Sequence, residues 1–172
     1  KKKKNDNKTV FYATQDPETL RHNKIYKHVL GTDQFQDELI FEETDETFNC
    51  NVFKTKSKDY LMIVSSQTLS TEYRFLNANT PNAEWEILQP RERDLLYYAD
   101  HYNDDFYIRT NLNATNFKLV KAPIQTSTKD NWQDVIPHRN NILLQDFDLF
   151  KNYLVLSERL NGLTTIRCFF FF

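Results

Sequence analysis

Four kinds of residue grouping in the 172-residue sequence have side chains able to do chemistry. Asp100, His101, Asp104 and Asp105 bring three carboxylates and an imidazole close together in the sequence, donor types that hold divalent cations. His22, His28 and His138 titrate near neutral pH and would serve as general bases if a nucleophile stood beside them. Ser157, Glu158 and Arg159 place a hydroxyl, an acid and a guanidinium on consecutive residues, and Cys50 and Cys168 supply two thiols.

For each of these the spacing favours a structural role. "HYNDDF" has the Asn and Asp content of a tight turn, and a metal site needs converging, supported ligands that sequence proximity does not provide. No nucleophile is visible beside any of the three histidines, so hydrogen-bonded structural positions are expected for them. Ser157-Glu158-Arg159 reads as a charged pair at a strand end, with contact to a peptide or to a second domain as the functional option. Without a CxxC motif or a Cys/His cluster, the cysteines are expected to be free thiols and no zinc is implied.

A serine nucleophile in a GxSxG elbow needs glycines to permit the sharp turn that exposes it. Gly31 and Gly162 are the only glycines, and neither flanks a serine in that pattern.

Composition excludes further classes. The formal net charge is −2 with both signs interspersed, so no broad field draws the chain to nucleic acid or to an anionic membrane. No apolar run approaches the roughly 20 residues of a bilayer span, and the start lacks the pattern of a signal peptide. A cytoplasmic location is the expectation.

The elements that would position these side chains are strands. Fourteen Phe and nine Tyr accompany short runs of Val, Ile and Thr, a composition suited to pleated sheets. Ile142–Phe147 as a strand, Asp148–Asn152 as a turn, Tyr153–Glu158 as a second strand and the Asn161-Gly162 pair leading into Leu163–Cys168 predict a three-stranded meander. The same order recurs upstream, where Phe106–Thr110 and, after a polar turn, Phe117–Lys121 are the predicted second and third strands of the preceding repeat. Tyr12, Tyr60, Phe106 and Tyr153, aligned as second strands, are separated by 48, 46 and 47 residues. A fourth strand is predicted at Glu38–Glu42, Trp85–Leu88 and Trp132–Ile136, where the two tryptophans are expected to pack in the core rather than form a ligand cage.

Four strands per repeat are the signature of a propeller blade. The fold class is thus all-β, a partial propeller of about three and a half blades, with repeats near 8–47, 48–94, 95–140 and 141–172. An immunoglobulin-like sandwich fits less well, since about seven strands complete one. Lys1–Lys4 are expected as a solvated, mobile segment and Phe169–Phe172 as a buried outer strand.

"IYKHVLGT", "DELIFEETDETF", "TNLNATNFKLVKAP", "NWQDVIPHR" and "LVLSERLNGLTTIR", in order from Ile25 to Arg167, resemble the propeller of the oligopeptidase B (protease II) group in the prolyl oligopeptidase family of serine peptidases. The resemblance implies a seven-bladed ring joined to an α/β-hydrolase domain absent from this chain, and since that domain would carry the nucleophile, its histidine and its aspartate, this chain is expected to be inactive on its own. It further implies cleavage of short peptides after Arg or Lys without metal or organic cofactor, the propeller acting as size filter and lid. In that setting Arg91, Arg93, His138, Arg139, Glu158 and Arg159 form a candidate rim toward the hydrolase domain or the gate. The alternative is a protein-interaction propeller with no associated enzyme, because the fold alone hosts both functions.

Overall fold

The computed structural model describes residues 2–3 and 6–170. Among them the chain is all β, with fifteen strands, three short 3₁₀ turns and no α-helix. It divides into two compact units, Lys1–Pro90 and Arg91–Phe172.

In the first unit, β1 (Lys2–Lys3), β2 (Thr9–Gln15), β3 (His22–Val29) and β4 (Glu38–Glu42) form one antiparallel sheet in sequence order. The next sheet repeats this order with β5 (Asn49–Lys54), β6 (Tyr60–Gln67), β7 (Ser70–Asn77) and β8 (Glu86–Gln89). Alternation along β5 turns Cys50 and Val52 inward and Asn49 and Asn51 outward. Cys50 and Val52 join Phe11, Ile25, Leu61 and Ile63 in a core cluster, so apolar positions two apart hold one sheet against the other. Trp85 seals this cluster, its ring edge-on to Phe11 with centroids 5.7 Å apart.

In the second unit, β9 (Tyr97–Tyr102), β10 (Asp105–Thr110), β11 (Lys118–Pro123) and β12 (Gln133–Ile136) make a third antiparallel sheet. β13 (Ile142–Phe150), β14 (Tyr153–Leu160) and β15 (Leu163–Phe170) make a fourth, three-stranded among the described residues. Tyr107 and Leu119 pack with Leu144, Leu149, Leu154 and Leu156 as the core of this unit. Trp132 lies against Tyr97, and its indole N–H donates to the Ser127 carbonyl at 2.8 Å. Both tryptophans therefore pack as the repeat predicts.

Tyr12, Tyr60, Phe106 and Tyr153 all fall in the second strand of their sheets. Asn161 (φ 51°) and Gly162 (φ 81°) make the predicted two-residue hairpin, pairing Leu160 with Leu163. Four predictions need correction. β13 runs on to Phe150 because Leu149 is buried, which moves the turn from Asp148 to Lys151-Asn152. Phe117 does not begin a strand but takes a left-handed φ of 60°, and β11 starts one residue later. Lys2–Lys3 are a strand rather than a mobile segment, since their backbone pairs with Phe11 and Val10 while lysine suits a sheet edge. Phe170 ends β15 at 64% exposure, so it lies in a strand at the edge of its sheet among the described residues but is not buried. Lys1, Lys4, Phe171 and Phe172 lie outside the described residues.

Candidate functional site

The predicted rim residues separate into a built cluster and its surroundings. Asn116, in the turn between β10 and β11, fixes the segment that leads into β13. Its side-chain amide donates to the carbonyls of Arg139 and Asn140 at 3.2 and 2.8 Å, and its backbone N–H donates to His138 Nε2 at 3.2 Å. Asn116 also accepts the Leu144 N–H through its own carbonyl at 3.0 Å. These bonds place His138 as a structural acceptor and set the Arg139 backbone in one position.

From that position the Arg139 guanidinium reaches the Glu158 carboxylate. Glu158 stands on the inward face of β14, with its side chain 4% exposed, and the same Oε1 accepts from Arg167 Nη2 at 2.8 Å. A buried carboxylate is tolerated where charge-assisted hydrogen bonds replace water, and two guanidiniums do so here. Arg167 also lies 4.7 Å from the Phe169 ring centroid.

Arg159, the sequence neighbour of Glu158, turns to the other face of β14 and is exposed, so the expected local charged pair is replaced by pairing across strands. Arg93 is 86% exposed beside Asp94 at 3.9 Å. Arg91 and Arg93 lie in the segment that leads into β9, as Arg139 lies in the segment that leads into β13. Neighbouring Glu92 is engaged by Lys129 at 2.6 Å.

The sequence reading missed Arg167 and Asn116. A signal for Arg167 existed, because a two-residue Asn-Gly hairpin sets the register that pairs Leu156 with Arg167 and Glu158 with Thr165. Arg167 and Glu158 then share a face as diagonal neighbours. The reach of Asn116 across the β12–β13 connection had no comparable signal.

The remaining chemistry-bearing residues serve the fold. Asn103 (φ 55°) and Asp104 make the turn between β9 and β10, while Asp100 accepts the His101 N–H at 2.8 Å. Asp105 accepts from Lys121 at 2.8 Å, a bond that holds the lysine above its ordinary pKa. No cluster of metal-ligand types is found among the described residues. His22 is exposed and donates its backbone N–H to Asn49 at 3.3 Å.

His28 enters a network not visible in the sequence. Its Nδ1 lies 2.6 Å from one Asp37 oxygen, and the Tyr12 hydroxyl donates to the other at 2.6 Å, at the edge of a cavity of about 340 Å³. Burial, followed by the Asp37 carboxylate, pushes the Tyr12 phenol up to about 12. The Tyr12 hydrogen bond, followed by His28, lowers Asp37 below its usual range.

Against known proteins, the family model described as "Prolyl oligopeptidase, N-terminal beta-propeller domain" matches residues 4–171. Dipeptidyl aminopeptidase BI of Pseudoxanthomonas mexicana is 39% identical over 163 residues, covering 94% of this chain and 22% of that protein. Protease 2 of Moraxella lacunata is 34% identical over 158 residues, covering 91% of this chain and 22% of that protein. Oligopeptidase B from Leishmania major superimposes with a TM-score of 0.91 at 31% identity, covering 97% of this chain and 23% of that one. The chain thus spans less than a quarter of the relatives it matches.

Proposed function

The chain belongs to the N-terminal β-propeller domain of the prolyl oligopeptidase family, and from that premise we propose that it is a noncatalytic part of an oligopeptidase B-like serine peptidase. In this reading the four sheets are blades, about three and a half of seven, and the ring is joined to an α/β-hydrolase domain carried by the rest of the polypeptide. The parent is cytosolic and cleaves short peptides after Arg or Lys. The propeller's contribution is steric and conformational. It covers the active site, admits short flexible chains, excludes folded ones and helps keep water from the reacting bond.

The observation that carries this reading is the match to oligopeptidase B over 97% of the chain at a TM-score of 0.91. The absence of a GxSxG elbow agrees with it, since the nucleophile would lie in the hydrolase part. Arg91, Arg93, His138, Arg139, Glu158 and Arg159 are assigned to the rim that meets the hydrolase domain or the gate. Arg93 is available for such contact by its exposure, whereas Arg139 and Glu158 are already organised by each other.

The test is hydrolysis of two fluorogenic peptides, one with Arg and one with Ala before the reporter, by the complete protein and by this chain. Arg-selective turnover by the complete protein, blocked by a serine-directed inhibitor and absent from this chain, is expected. A folded complete protein that cleaves neither peptide would sink the peptidase reading and favour a binding scaffold.

A further inference from the structure

Glu158 neutralises only one of the two guanidiniums that hold it. Among the described residues it is the one acid within ion-pair distance of Arg139 and Arg167, so the cluster carries one uncompensated positive charge. Each guanidinium presents five N–H donors in a planar fork, and each uses one on Glu158 Oε1. The Arg167 Nε–H is buried and has no hydrogen-bond partner in the structure. Neither side chain is closed off, with 26% exposure for the Arg139 side chain and 40% for Arg167.

The forks are also held in place. Asn116 binds the backbone carbonyls of Arg139 and Asn140, Glu158 fixes both guanidiniums from below, and the Phe169 ring flanks Arg167. A fork held this way loses little freedom when it meets a second planar anion. Carboxylate is the anion whose two oxygens match parallel N–H donors.

We propose that Arg139 and Arg167, aligned by Glu158, form a receptor for the C-terminal carboxylate of an oligopeptide. This rests on the peptidase reading for its substrate class. A short peptide always ends in a carboxylate close to its scissile bond, whereas an internal loop of a folded protein offers none. The cluster would therefore add a positive signal for shortness to the steric filter of the propeller.

The experiment uses the complete protein and two labelled peptides that are identical except for a free carboxylate or an amide at the C-terminus. The free acid is expected to have a KM lower by about tenfold, the scale of one well-placed charge-assisted pair. Arg139→Lys and Arg167→Lys keep Glu158 paired but lose the fork, and each should bring the acid-to-amide ratio toward one. Glu158→Gln removes the carboxylate that aligns both forks and should likewise bring that ratio toward one, a peptide-selective effect that a purely structural ion pair would not produce. Equal KM values for the two peptides with the wild-type protein overturn the proposal, as do variants that shift both peptides alike.

Fluorescence anisotropy with the same peptides separates this idea from the reading beneath it. Tighter binding of the acid without cleavage supports the receptor while defeating the peptidase. Cleavage with equal binding of acid and amide defeats the receptor alone.

Discussion

Asp37 and Tyr12, twenty-five residues apart in sequence, are joined by a 2.6 Å hydrogen bond from the phenol to a carboxylate oxygen. The bond ties the connection between β3 and β4 back to β2 and gives the first sheet a pH signature at each end of the scale.

The Tyr12 hydroxyl is expected to titrate at about 12 and to fall back toward 10 in Asp37→Asn, read by NMR of the ring carbons. Because the folded value is raised, the phenol's contribution to stability is complete below pH 10 and is lost as pH rises toward about 12. The carboxylate works in the opposite sense. Its folded value is depressed, so its contribution is complete above the ordinary 3.8 and disappears as pH falls through the lowered value. Acid titration of wild type and Asp37→Asn should therefore converge at low pH. Parallel curves down to the lowest pH would contradict the assignment.

Gly162→Ala should destabilise the chain by about 1 kcal/mol in chemical denaturation, the cost of a Cβ in left-handed backbone. At φ 81° that cost is conformational, since a Cβ there meets no heavy atom within 4 Å. A larger loss would mean that packing at this turn is tighter than it is in the structure.

Arg109 lies between two aromatic rings, 4.2 Å from the Tyr98 centroid and 4.4 Å from Phe117, while its Nη1 donates to the Leu144 carbonyl at 3.1 Å. Arg109→Lys keeps the charge and loses the plane, so we expect a loss of about 1–2 kcal/mol in unfolding free energy. Retention of full stability would show that the stacking contributes nothing.

The two thiols should differ in reactivity. Cys50 is 1% exposed, and burial, followed by the Glu43 charge, pushes its thiol up to about 11. Cys168 is exposed. A thiol reagent at neutral pH should modify Cys168 in the folded chain and reach Cys50 only after unfolding, as mapped by mass spectrometry.

Most of the fold was legible because aromatic strand openings and Asn/Asp turns recur at nearly constant spacing. Tyr60 and Tyr153 open their strands, and Glu38–Glu42 is a fourth strand with the predicted limits. Phe117 was misread because an aromatic at a strand boundary looks like its first residue. Its positive φ goes with stacking on Arg109, a contact between side chains eight positions apart. Leu149 was lost in "FDLF" because a register shift between Leu144 and Asp146 breaks the simple alternation of faces.

The candidate site was legible in part. Arg139 and Glu158 were selected as neighbours of the strand ends, yet their pairing depends on which face each occupies. Glu158 faces inward and Arg159 outward, a difference of one residue that the charges alone do not reveal. The Asp37 network escaped notice because His28 and Tyr12 sit on separate strands and meet only through the carboxylate between them.

Every sheet among the described residues is drawn from one uninterrupted stretch of chain, strand following strand in the order of hydrogen bonding. The repeated second-strand positions are 46–48 residues apart, and a ribosome working at roughly 5–20 residues per second emits such a stretch in under about ten seconds. Each sheet can pair its strands without waiting for distant sequence, so assembly in the cell can follow the direction of translation.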